Sequence, residues 1–260
     1  MTAQHAEAAD RLYLTGESPL HGLAPQIKLV AAVLFIVVVV LTPAQWFVVF
    51  GWYGLLLAAA IVISGVGPTR ILRRMTVEIP FVAFALLLPL VGREPEVEVL
   101  GMTLSEPGLL AAWNILAKAT LGVGVSALLA ATTTSRDLLD GLARLRAPAL
   151  LIEIASFMVR YLHVVSDEWQ RMAQARAARG FQRSGVRAWP TLARSAGVLF
   201  IRSYERGERV HTAMLARGYA GAMPQFDDPR PATAQDWASG LALPFAAAVG
   251  LALAAWTGLR

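Results

Sequence analysis

The sequence predicts an all-α membrane protein, with about five transmembrane helices plus a block of long amphipathic helices outside the bilayer. Three observations predict it. Of the 260 residues, 56% are hydrophobic, too many for an ordinary soluble domain, and they gather into runs close to the ~20 residues that cross a bilayer. The charge is not spread along the chain: residues 132–235 hold 15 Arg, no Lys and 9 acidic residues, while the whole chain carries a formal charge of +5. Within that basic block, apolar residues recur every three or four positions, the period of a helix with one apolar face. The domain division that follows is a four-span membrane domain over 1–131, a helical block over 132–235 and a last span within 236–260.

In chain order, the segment up to Pro25 is polar and lacks the basic start, short apolar core and small-residue cleavage site of a secretory signal. Pro19 and Pro25 bracket a turn there. Residues 27–41 form a first span, closed by Thr42 and Pro43, and 45–63 a second, with Trp46, Trp52 and Tyr53 expected at the interface. Arg70, Arg73 and Arg74 lie in a short loop without acids, which places that loop on the cytoplasmic side. A third apolar segment, 77–91, contains Pro80 and Pro89; after it, Glu94, Glu96, Glu98 and Glu106 against Arg93 make an acidic external loop. The fourth span, 108–131, is rich in Gly, Ala and Ser, so close helix packing is expected along it. Residues 241–256 supply the fifth.

Inside the fourth span stand Asn114 and Lys118, one helical turn apart. A charge there costs on the order of 3 kcal/mol to insert, so Lys118 is expected to face a partner subunit or to snorkel, with Asn114 as its hydrogen-bonding neighbour. A proton path would need acidic partners, and only Glu78 lies near a span. The absence of Cys removes disulfides and thiolate metal sites.

The basic block opens where Thr134 or Ser135 can cap a helix carrying Leu138, Leu139 and Leu142. Asp137 and Asp140 near its start suit the helix dipole without catalysis. Beyond Pro148, one stripe runs Leu151, Ile154, Met158, Tyr161, Leu162, Val165, Trp169 and Met172, with Glu153, Arg160, Asp167, Arg171 and Gln174 opposite. A second uses Trp189, Leu192, Ala196, Leu199, Ser203, Val210 and Met214, and Trp169 and Trp189 are expected to pack the helices onto each other or a neighbour. Arg202, Arg206 and Arg209 alternate with Glu205 and Glu208, reading as a solvated face of close ion pairs. Each helix is about 30 residues, or about 45 Å.

Both helices close on the same triplet, Ala178-Arg179-Gly180 and Ala216-Arg217-Gly218, 38 positions apart. Glycine just past a helix supplies the left-handed turn that stops it, and arginine beside it faces the negative end of the dipole. Ala keeps each tip narrow, and each guanidinium offers forked donors to carboxylates or carbonyls. The expected picture is a pair of positive prongs standing near each other.

The opening SPLHGLAPQIKLVAAVLF followed by LTP, the paired Ala-Arg-Gly triplets and the five-span outline together resemble the transmembrane T component of energy-coupling factor transporters, specifically its cobalt branch, the CbiQ family. The resemblance runs from about Ser18 to the last span. It implies a multi-pass protein of the bacterial inner membrane with a cytoplasmic coupling domain. In that domain Ala178, Arg179, Gly180, Ala216, Arg217 and Gly218 would dock into grooves on two ATP-binding-cassette ATPase subunits, while the protein grips a substrate-binding membrane subunit. It further implies a non-catalytic subunit without cofactor, serving cobalt uptake, with nickel or a vitamin as the alternative cargo.

The residues themselves add to this. There is no GxxxxGK[ST] phosphate loop, so ATP hydrolysis belongs to a partner. His5, His21, His163 and His211 show no metal-ligand spacing, so no metal site is expected, and His21 reads as a turn or packing residue. Confinement of the basic charge to one block of a membrane protein points away from nucleic acid. Two other classes stay open: an enzyme acting on lipid phosphates, which lacks a nucleophile or metal cluster, and a secondary transporter, for which an internal repeat is expected and not seen.

Overall fold

The computed structural model describes residues 13, 14, 16, 18–67, 69, 71, 75–91, 96–99, 102–181, 185–221 and 232–258. In chain order the elements are α1 (Pro19–Gly22), α2 (Pro25–Leu41), α3 (Phe47–Ser64), a 3-10 turn (Met75–Glu78) leading into α4 (Ile79–Val91), strands β1 (Glu96–Val99) and β2 (Met102–Ser105), α5 (Glu106–Thr132), α6 (Ser135–Arg144), α7 (Ala149–Ala178), a second 3-10 turn (Gly185–Ala188), α8 (Trp189–Ala216) and α9 (Ala234–Thr257). By contacts these fall into two compact units, Leu12–Leu145 with Arg230–Arg260, and Arg146–Pro229.

The chain is an all-α membrane protein with one small β-ribbon. Four helices are long and apolar enough to cross a bilayer, α3, α5, α7 and α9, and α2 and the 75–90 helix are shorter apolar ones. The expected first and third spans are therefore the short ones. α7, read from sequence as part of the basic block, meets the length and composition of a span. Arg70, Arg73, Arg74, Arg93 and Glu94 lie outside the described residues.

The membrane bundle has a well-defined interior. Phe35 and Val39 of α2, Phe50, Tyr53 and Leu57 of α3, Leu121, Val125 and Leu128 of α5, and Ala247 and Ala254 of α9 form one buried cluster. Tyr53, expected at the interface, is fully buried instead, because it sits on the seam toward α2: its ring meets Phe35 and Phe50 edge-on and its hydroxyl lies 3.0 Å from Thr42 Oγ1. Trp52 stays exposed and donates its indole N–H to the Ala246 carbonyl of α9 (3.2 Å). The small residues of α5 do allow close approach. A Cβ on Gly108 would come within 2.7 Å of the Leu88 carbonyl in α4, and one on Gly124 within 2.6 Å of Leu57.

The chain's two lysines close the ends of two antiparallel helices in turn. Lys118 of α5 donates to the Val40 carbonyl in the last turn of α2 (2.9 Å), and Lys28 of α2 donates to the Thr132 carbonyl ending α5 (2.9 Å). Helix C-termini leave carbonyls without intrahelical partners and carry partial negative charge, so an ammonium from the neighbouring helix satisfies both needs in a low-dielectric setting. The neighbour expected for Lys118, Asn114, is replaced by the Val40 carbonyl. Asn114 does not pair with Lys118, and its Oδ1 is buried without a hydrogen-bond partner among the described residues. Glu78, buried at the foot of α4, accepts from Thr120 Oγ1 at 2.6 Å.

His21 is a turn residue: its Nδ1 lies 2.6 Å from Ser18 Oγ and its Nε2 3.0 Å from the Leu14 carbonyl. Thr134 caps α6, its Oγ1 accepting from the Asp137 amide (3.1 Å). This helix, grouped from sequence with the basic block, lies against α2: a Cβ on Gly141 would stand 3.0 Å from the Gln26 amide nitrogen. The acidic loop after α4 contains the antiparallel ribbon, Glu96 opposite Ser105 and Val99 opposite Met102. Its four-residue strands are too short for the alternation of Glu-Val-Glu-Val to outweigh its reading as a charge run.

Candidate functional site

α7 and α8 form an antiparallel helical hairpin, pinned by polar side chains at intervals along its length. Near the closed end, Arg176 donates to Ser195 Oγ (2.8 Å) while its guanidinium lies over the Trp169 ring, 5.1 Å from the centroid. Further along, Arg202 of α8 pairs with Glu168 of α7, which also meets Arg171 at 3.6 Å. At the open end, Tyr219 donates its hydroxyl proton to Glu153 Oε2 (2.7 Å). That bond pushes the Tyr219 pKa above its usual value.

Two sequence readings change here. Arg202 reaches across to the other helix, and the same-helix pairing expected of that run is found at Arg209–Glu205 (4.0 Å). Glu153, placed on the outward polar side, is half-buried and turned to the end of α8.

Between these pins the helices leave an apolar groove of about 700 Å³, lined among others by Phe157, Tyr161, Leu162, Leu199, Val210 and Met214. No residue of α7 or α8 is buried. Leu150, Met158, Trp189 and Phe200 are each about 70% exposed, so Trp189 does not pack within the hairpin as Trp169 does. A face this apolar left open is the usual mark of a contact surface for protein or lipid.

The two Ala-Arg-Gly triplets end their helices identically. At the first, Gly180 N–H donates to the Ala177 carbonyl (3.0 Å) and Phe181 N–H to the Arg176 carbonyl (3.1 Å); at the second, Gly218 donates to Leu215 (3.0 Å) and Tyr219 to Met214 (3.0 Å). This double bond pattern is the Schellman motif, and it requires the left-handed backbone found at Gly180 (φ 74°) and Gly218 (φ 84°). Arg179 and Arg217 are the C-caps, and all six triplet residues are exposed. Sequence reading stopped one residue short, because an aromatic completes each motif, Phe181 and Tyr219. The repeated ARG-F and ARG-Y were the available signal.

The expectation of neighbouring prongs is overturned. Each helix carries its triplet at its own C-terminus and the helices run antiparallel, so the tips lie at opposite ends of the hairpin, on the order of 40 Å apart over the 28 residues of α8. Among the described residues there is no group of three or more His, Asp or Glu that could hold a metal ion.

Comparison with known proteins places this architecture. The profile of the family described as cobalt transport protein, CbiQ, matches residues 16–227. The chain belongs to the CbiQ family. Its relatives include the energy-coupling factor transporter transmembrane protein EcfT of Bacillus selenitireducens, 30% identical over 80% of this chain and 82% of that one. The EcfT of Brevibacillus brevis is likewise 30% identical, over 81% and 84%, and the cobalt transport protein CbiQ of Rhodobacter capsulatus is 33% identical over 47% and 50%. The CbiQ-family match runs from α1 through α8 and stops short of α9, so both Schellman tips and all six triplet positions fall inside it.

Proposed function

We propose that this CbiQ-family protein is the non-catalytic coupling subunit of an energy-coupling factor importer for cobalt. In this reading 132–235 is its cytoplasmic coupling domain, and 1–131 with 236–260 its part in the bacterial inner membrane. Two ATP-binding-cassette ATPase subunits dock one at each tip, through Ala178-Arg179-Gly180 and Ala216-Arg217-Gly218. A substrate-binding membrane subunit is held by the exposed apolar faces of α7 and α8.

The observation that carries the reading is the repetition of one exposed, arginine-bearing cap at the two ends of one hairpin. A guanidinium standing clear of its helix pairs with carboxylates or carbonyls in a groove, and Gly turns the chain out of the way. Two equal tips on the order of 40 Å apart suit two separate motor subunits. When ATP brings those subunits together, the ends of the hairpin are displaced and the motion passes to whatever the apolar face holds, a shear of packed helices. Cobalt as cargo rests on the family description and on the Rhodobacter relative.

Arg179→Glu combined with Arg217→Glu is expected to abolish copurification with the ATPase subunits while the protein still inserts. Wild-type copurification of that double variant would overturn the docking reading. The chain has no natural cysteine, so sidedness is directly testable: a cysteine at Glu96 should react with an impermeant reagent from outside, and one at Arg171 should not.

A further inference from the structure

The two tips share a backbone motif and differ in how each is held. The Arg179 tip stands at the closed end of the hairpin, where the chain itself continues through Phe181 and the 3-10 turn into α8, and where Arg176 joins α7 to Ser195 of α8. The Arg217 tip stands at the open end. No chain connection joins it locally to α7, whose first turns lie beside it. There the C-terminal aromatic carries a hydroxyl, and that hydroxyl donates to Glu153 of α7 at 2.7 Å. The equivalent aromatic at the closed end, Phe181, has none.

We propose that Tyr219 and Glu153 are positioning residues that brace the Arg217 tip against α7, doing at the open end of the hairpin what covalent continuity does at the closed end. The inference rests on the docking reading above. Its physical basis is local. Tyr219 is the last residue of the Schellman motif, its amide bonded to the Met214 carbonyl (3.0 Å), so fixing its ring fixes the turn that presents Arg217 two residues earlier. The acceptor is a carboxylate on a helix of 30 residues, a rigid anchor. Without the brace, the terminal turn of α8 frays as exposed helix ends do, and Arg217 samples orientations that miss its groove.

The test has one arm within this chain and one with its partners. In the cysteine-free background, spin labels at Ser156→Cys and Ala213→Cys report the open end, and labels at Gln174→Cys and Ala196→Cys the closed end. Tyr219→Phe is expected to broaden the first distance distribution and leave the second unchanged. Glu153→Ala should do the same, and Glu153→Gln, which keeps an acceptor oxygen, should largely restore it.

In copurification with co-expressed ATPase subunits, Tyr219→Phe is expected to weaken association about tenfold, the scale of a hydrogen bond to a charged acceptor. The loss should add to that of Arg179→Glu and vanish in an Arg217→Glu background, a pattern that general destabilisation would not give. The inference is overturned if Tyr219→Phe leaves the open-end distances unchanged, or if its loss is as large with Arg217→Glu as without it. Normal association of the double Arg→Glu variant would instead overturn the docking reading, and the spin-label result would then stand alone.

Discussion

The membrane bundle and the α7/α8 hairpin are built from the same kind of helix and finished in opposite ways. In the bundle, apolar faces meet within the chain, so Phe35 and Tyr53 are fully buried. The carbonyls that helix ends leave over are closed by Lys28 and Lys118. In the hairpin no residue is buried, polar bonds pin the helices together, and the helix ends stand bare in solvent with an arginine on each. A finished element resists change, and an unfinished one waits for a partner. Exposed apolar side chains occur in both regions, Val62 and Trp256 in the bundle and Met158 and Phe200 in the hairpin, so what sets the hairpin apart is that its two helices bury no residue of their own.

Substitutions at matched positions sharpen the contrast. Phe35→Ala should destabilise the detergent-solubilised protein by about 3–5 kcal/mol, since it empties a fully packed site. Phe200→Ala should change stability by less than about 0.5 kcal/mol, because that ring touches little within the chain. Thermal unfolding followed by intrinsic fluorescence measures both, and equal losses at the two positions would erase the distinction between closed and open units.

Lys118→Met should cost about 1 kcal/mol by removing its exposed bond to the Val40 carbonyl, with Lys28→Met, whose bond to the Thr132 carbonyl is half-buried, costing more. Polar contacts of the hairpin are expected to be worth little as well. Glu168→Gln, which removes an exposed ion pair with Arg202, should cost at most about 1 kcal/mol, and high salt should shrink that further.

Much of this contrast was legible in the sequence, and the parts that were not share a cause. The stripes of α7 and α8, their glycine stops and the Thr134 cap follow from period and local chemistry, which sequence carries directly. Tyr53 was misplaced because an aromatic near a span end is ambiguous between the interface and the core, and only its neighbours across the seam, Thr42 among them, decide it. Lys118 was given Asn114 as its neighbour because its acceptor is a backbone carbonyl 78 positions away, and carbonyls leave no mark in a sequence. The spacing of the tips was likewise hidden: two C-terminal triplets imply two helix ends, and it takes the antiparallel pairing of Arg176 with Ser195 and Glu153 with Tyr219 to set them at opposite ends.

That spacing is the centre of the account, and a single distance tests it. With spin labels at Ala178→Cys and Ala216→Cys in the full-length chain, the hairpin predicts a separation of about 40 Å, the length of α8. A distribution centred below about 20 Å, with the tips side by side on parallel helices each about 45 Å long, would contradict it.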